Sequence, residues 1–122
     1  MIKTSLLFSI VLSLFLFICS SNISCEQLPK QFTTYDEAVK QIQSTNFKIK
    51  ETVNTAKSSW IKGASFYSCD GNWGYFILVT DKREYLYSAM LYRIWLEFKS
   101  AESFGRFYDE KIKHTYIFSL SK

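Results

Sequence analysis

Tyr75-Phe76-Ile77-Leu78-Val79-Thr80-Asp81-Lys82-Arg83-Glu84-Tyr85-Leu86-Tyr87 is the stretch that decides the fold. Its first six residues form an unbroken apolar, β-prone run of the kind a central strand carries. Asp81-Lys82 supplies a turn, and Glu84 to Tyr87 returns as the next strand. Immediately upstream, Trp60 to Tyr67 is a third β-prone, aromatic segment. It is joined to the hairpin through Asp70-Gly71 and Gly74, where glycine offers positive φ for a tight turn. Strands that succeed one another with such short connections predict an antiparallel meander.

Working downstream, Ser88 reads as the N-cap of a helix on which Leu91, Ile94, Trp95, Phe98 and Ala101 share one face, with Arg93 and Glu97 paired opposite. That helix is expected to lie across the sheet, with Trp95 between the two layers, and to end near Ser103-Phe104-Gly105, where glycine suits a left-handed cap. Arg106 to His114 reads as a basic turn, and Tyr116 to Leu120 as a strand that rejoins the sheet. Working upstream, Thr34-Tyr35-Asp36-Glu37 is a capping box that opens a helix striped by Tyr35, Ala38, Val39 and Ile42. Phe47 and Ile49 alternate with Lys48 and Lys50 at the period of a half-buried strand. Thr52 to Ser59 reads as a connection, and residues 22–33, which hold the only proline, as a flexible lead-in. The expected fold is therefore α+β: a small antiparallel β-meander packed by one amphipathic helix and preceded by an N-terminal helix and strand.

The first 21 residues have the order of a secretory signal peptide. Lys3 is a short basic n-region, Leu6 to Ile18 an apolar run of thirteen residues interrupted only by Ser9 and Ser13, and Cys19-Ser20-Ser21 a small polar exit. Thirteen residues fall short of the ~20 that span a bilayer. Cleavage after Ser21 is expected, which leaves the mature chain without a stable membrane span and places it outside the cell or in the periplasm. Acylation at Cys19 or Cys25 fits worse, because Ile18 is bulky and Asn22 is polar where a lipobox needs other residues. Without Lys3 the fifteen basic residues become fourteen against eleven acidic ones, about +3, a mild lean toward anionic partners. Cys25 and Cys69 either pair in an oxidising compartment or leave Cys69 as a buried thiol, and the second is the arrangement expected.

The same residues carry a resemblance. Ser58-Ser59-Trp60-Ile61, the hairpin ending in Tyr85-Leu86-Tyr87, Trp95-Leu96-Glu97-Phe98, Ser103-Phe104-Gly105-Arg106-Phe107-Tyr108 and the closing Ile112-Lys113-His114-Thr115-Tyr116 resemble the KTSC domain. That module occurs at the C-terminus of some lysyl-tRNA synthetases and alone in small bacterial proteins. The match runs from Ser58 to Phe118, which sets a KTSC-like domain at residues 58–122 behind a helix-strand extension at residues 34–57. Met90-Leu91 stands where Val-Pro is common in the family, and Asp109 where an Asn usually comes after the Phe-Tyr pair. The resemblance implies no assigned activity; its synthetase context implies RNA binding.

Candidate ligand-binding residues come from that implication and from the chemistry. Tyr85 and Tyr87 are two apart on a strand, so both rings leave one face, as bases require of a stacking platform. Arg106, Lys111, Lys113 and His114 supply cations for phosphates. The competing reading, and the one expected, packs both rings against the Trp95 helix and leaves the basic residues solvated. Catalysis has less support: Cys69 and His114 are a lone thiol and a lone imidazole with no supporting signature, and neither a metal-ligand spacing nor a phosphate loop is present. No cofactor is expected. The function read from the sequence is an exported, non-catalytic binding or interaction module for an anionic polymer, of the envelope or a nucleic acid, or for another protein. An envelope hydrolase or its inhibitor, centred on Cys69 or the Asp109 region, is the alternative.

Overall fold

The computed structural model describes residues 23–118, so the expected signal peptide and the end of the expected last strand lie outside it. Helix α1 (Tyr35–Ser44) starts where the capping box puts it: Thr34 Oγ1 accepts the Glu37 N–H at 3.2 Å. Glu37 does not reach back to Thr34. Its carboxylate accepts the Thr33 hydroxyl at 2.7 Å and the Gln41 amide at 3.0 Å.

Four strands come next, β1 (Ile49–Val53), β2 (Ile61–Ser68), β3 (Trp73–Thr80) and β4 (Glu84–Leu91), and they pair antiparallel in sequence order. Strand β1 runs on to Val53, into the segment read as a connection, because its register from Ile49 opposite Ser68 to Val53 opposite Ala64 keeps Ile49, Glu51 and Val53 facing inward. Gly71 turns the β2–β3 corner with φ 87°, while Asp70 accepts the N–H groups of Asn72 (2.8 Å) and Trp73 (3.0 Å). Those bonds, the Trp73 one foremost, hold the Asp70 carboxyl below its usual range. Gly74, by contrast, is there for space: a Cβ on it would stand 2.2 Å from the Tyr67 carbonyl oxygen.

The unbroken apolar run of β3 has its cause in two covered faces. Phe76, Ile77 and Leu78 are each at most 1% exposed; Phe76 and Leu78 point to one apolar cluster and Ile77 to the other. Helix α1 covers the second face with Ala38, Val39 and Ile42, joined by Phe32. The first face is closed by helix α2 (Tyr92–Lys99), whose Trp95 ring stacks on Phe66 at 5.7 Å and on Phe98 at 5.9 Å. Trp95 is fully buried between the layers, as expected.

The chain departs from its sequence reading in several places. Ser88 is not a helix cap. Strand β4 continues pairing to Leu91, and α2 begins one residue later, with the Tyr92 N–H bonded to the Asn72 carbonyl at 2.8 Å. Ser88 and Ala89 together stand opposite Tyr75, a bulge that gives Ala89 a φ of 56°. Gly105 does not end the helix. Helix α2 stops at Lys99, Ser103 caps a new helix α3 (Phe104–Phe107) by accepting the Arg106 N–H at 3.2 Å, and a π-helical turn (Tyr108–Ile112) continues it. The expected basic turn is thus mostly helical, because Phe104, Tyr108 and Ile112 bury one side of it in the first cluster. Tyr116 to Phe118 does not form a strand. Tyr116 packs on one cluster and Phe118 on the other, and the Ile117 carbonyl between them takes the Ser88 hydroxyl at 3.0 Å.

The lead-in is fastened instead of loose. Cys25 is bonded to Cys69, which corrects the reading of Cys69 as a buried thiol; their Cα atoms are 5.7 Å apart, within the range a disulfide spans. Ile23 and Cys25 exchange backbone hydrogen bonds with Asn46 at 3.0–3.1 Å, and Phe32 is buried. Across the sheet, Glu51 accepts three donors from one side of α2: Trp95 Nε1 at 2.8 Å, Lys99 Nζ at 2.8 Å and the Tyr92 hydroxyl at 3.0 Å. The Lys99 bond, then that of Trp95, holds the Glu51 carboxyl below its ordinary 4.5. Lys99 is therefore paired with Glu51 across the fold, where the sequence pattern put the helix's charge pair at Arg93 and Glu97.

Candidate functional site

The β3–β4 turn, the start of β2 and the π-helical turn meet at one end of the sheet. The turn is held by Thr80, whose N–H donates to the Arg83 carbonyl at 3.0 Å and whose Oγ1 accepts the N–H groups of Lys82 and Arg83. This presents Asp81 and Lys82, both exposed, as its tip. Trp60 stands just before β2 and keeps 39% of its surface exposed, an unusual position for an indole in so small a domain. One edge of its ring meets Tyr108 at 5.8 Å, and it lies against Gly105, where a Cβ would come 2.7 Å from Trp60 Nε1. Gly105 is thus the seat of Trp60, a role that a reading of it as a helix cap misses.

A groove of about 370 Å³ opens between these elements. Its floor is aromatic: Trp60, Tyr85 and the buried Tyr108. Its rim carries Lys82 and Lys113 against Asp81 and Asp109, two charges of each sign. The phenol of Tyr108 is pushed far above its ordinary range by burial and by its hydrogen bond with the Tyr87 hydroxyl, so it stays neutral.

The sequence candidates divide here. Tyr85 and Lys113 line the groove together. Tyr87 leaves the same face but lies beneath the groove, half-buried, with its ring 6.3 Å from Phe76 and 5.9 Å from Tyr108. It packs as core, on the cluster that also holds Trp95 and against Tyr108 of the π-helical turn. Arg106, Lys111 and His114 are exposed and do not line the groove. Cys69, locked in its disulfide, offers no thiolate, so the Cys69–His114 nucleophile is ruled out in this state. Among the described residues no group of three or more His, Cys, Asp or Glu is placed to hold a metal ion, and no helix is long and apolar enough to cross a membrane. Sequence reasoning missed Trp60, Asp81 and Lys82 as site residues. Asp109 was named for its departure from the family pattern and as a centre of the hydrolase alternative, not as a groove residue.

No protein-family model, curated protein or solved structure matches the chain.

Proposed function

We propose that the chain is an exported, non-catalytic binding module, KTSC-like in its last 60 or so residues, and that its groove takes a neutral glycan of the cell envelope. The observation that carries this reading is the lining: the exposed Trp60 ring beside the half-buried Tyr85, flanked by two ammonium and two carboxylate groups. Aromatic faces stack on the C–H faces of pyranose rings. Carboxylates accept hydroxyl protons and lysines donate to ring and hydroxyl oxygens, so a polar but uncharged ligand uses every group present.

A polyanion would meet Asp81 and Asp109 as repulsion, which counts against RNA and against an acidic envelope polymer at this groove. Both carboxylates are exposed, without the apolar enclosure in which a glycoside hydrolase seats its carboxyl pair, which counts against that activity. The disulfide supports export, since such bonds persist in oxidising compartments.

The test is binding of the purified protein to insoluble envelope glycan and to single-stranded RNA at two salt concentrations. Glycan binding that is nearly independent of salt and abolished by Trp60→Ala, without sugar release, is the expected result. Salt-steep RNA binding whose log–log slope falls by about one in Lys113→Ala would replace this reading with the nucleic-acid one. Release of reducing ends from the glycan would restore the hydrolase.

A further inference from the structure

The Trp60 groove does not end at the β3–β4 turn. On the other side of that turn, between it and α1, lies a larger open cleft of about 870 Å³. Thr80, Asp81 and Lys82 line both cavities, so the turn is a shared wall, lipped by the same side chains on each flank. At this crossing the Arg83 guanidinium lies 5.0 Å from the ring of Tyr85 and 5.1 Å from the ring of Tyr35. Tyr85 belongs to the first groove and Tyr35 to the second cleft. Tyr35 is in turn fixed by the bond from the Leu86 N–H to its hydroxyl, so both rings that flank the guanidinium are held by the sheet.

The far cleft shares the mixed charge of the near groove, with the half-buried Tyr35 as its one ring. Lys40, Lys82 and Arg83 face Asp36, Glu37, Asp81 and Glu84, and Val39 and Val79 give it an apolar strip. Neither side concentrates one sign of charge, and both offer donors and acceptors beside apolar surface.

We infer that the two cavities are one binding track, and that the ligand is a linear, neutral polysaccharide lying across the β3–β4 turn with sugar units on both sides of it. This rests on the glycan reading above and extends it from a single subsite to a chain. Two linked subsites turn the second contact into an intramolecular one, so affinity must rise steeply with chain length until both sides are filled.

The experiment uses the purified protein and β-1,4-linked N-acetylglucosamine oligomers of two and six units, with affinities measured by calorimetry. The hexamer should bind at least about tenfold more tightly than the dimer. Lys40→Ala, on the exposed flank of α1, should reduce that advantage while leaving dimer affinity, which Trp60 carries, unchanged. Trp60→Ala should abolish binding of both oligomers. Equal affinity for dimer and hexamer, with Trp60→Ala still abolishing both, overturns the track and leaves the glycan site standing. Absence of binding by either oligomer, or binding indifferent to Trp60→Ala, overturns both.

Discussion

Replacing both bonded cysteines, Cys25→Ser/Cys69→Ser, removes the covalent link between the N-terminal arm and the β2–β3 corner. The two residues are 44 apart. Closing a loop of that size in the unfolded chain removes entropy worth about 4 kcal/mol at 25 °C, between the ~3 of a 15-residue loop and the ~4.7 of a 100-residue one. In the native state the variant still has the Asn46 backbone bonds and buried Phe32 to hold the arm, so the loss falls on the unfolded side of the equilibrium. For a domain of this size about 4 kcal/mol corresponds to a drop in Tm of roughly 15–30 °C. Urea melts monitored by tryptophan fluorescence, compared with the parent protein under oxidising conditions, measure it. The parent in excess reductant should reproduce the variant. A loss below about 1 kcal/mol at unchanged m would refute the reasoning, because the arm and the corner would then be near each other in the unfolded chain without the bond.

Three further outcomes test other parts of the structure. Glu51→Ala leaves the Nε1 of fully buried Trp95 without its acceptor and should cost about 1–3 kcal/mol in denaturant melts. Since the folded Glu51 carboxyl lies below its ordinary 4.5, its contribution is complete above that pH and is lost as pH falls through the lowered value; parent stability should therefore fall more steeply than that of Glu51→Gln as pH drops below 4.5. Ala89→Gly should stabilise by about 0.5–1 kcal/mol, as relief of the left-handed conformation at φ 56° outweighs the added freedom of the unfolded chain; a destabilised variant would show that the bulge is relaxed. Tyr87→Phe should cost about 1 kcal/mol by stripping the buried Tyr108 phenol of its partner, and an unchanged midpoint would place that hydroxyl in water.

The layers of the fold were legible because they are written in periodicity. The Tyr75 to Tyr87 hairpin, the α1 stripe and the Trp95–Phe98 face all appear where the pattern puts them. The boundaries were not legible where one residue serves two rules. Ser88 has the chemistry of a cap, yet the pull of β3 pairing carries the strand past it. Gly105 has the chemistry of a helix stop, yet Ser103 two residues earlier caps a new helix and the glycine's missing side chain makes room for Trp60. The site was half legible. Tyr85 and Lys113 could be named from stacking and charge, but nothing local marks them as neighbours of Trp60 or of Asp81. Those meetings depend on the π-helical turn folding back over the end of the sheet, a long-range event that neither side's sequence announces. Glu51 was invisible for the same reason: its three donors sit more than 40 residues away.

A sheet of four strands in sequence order has two open margins, and the longer of them is β4. Along its eight residues every second one turns its amide and carbonyl outward, a template for an extended peptide or a second copy of the same strand, although the Leu86 amide is already taken by the Tyr35 hydroxyl. The bulge at Ser88 and Ala89 spoils that template. It breaks the repeat of the rim in its second half, tilts the strand beyond it, and brings the Ile117 carbonyl against Ser88 just where an incoming strand would begin to register. A bulge that twists an open edge in this way is a recognised means of blunting edge-to-edge pairing, a consequence of the Ala89 conformation that a stability measurement on a dilute solution would not register.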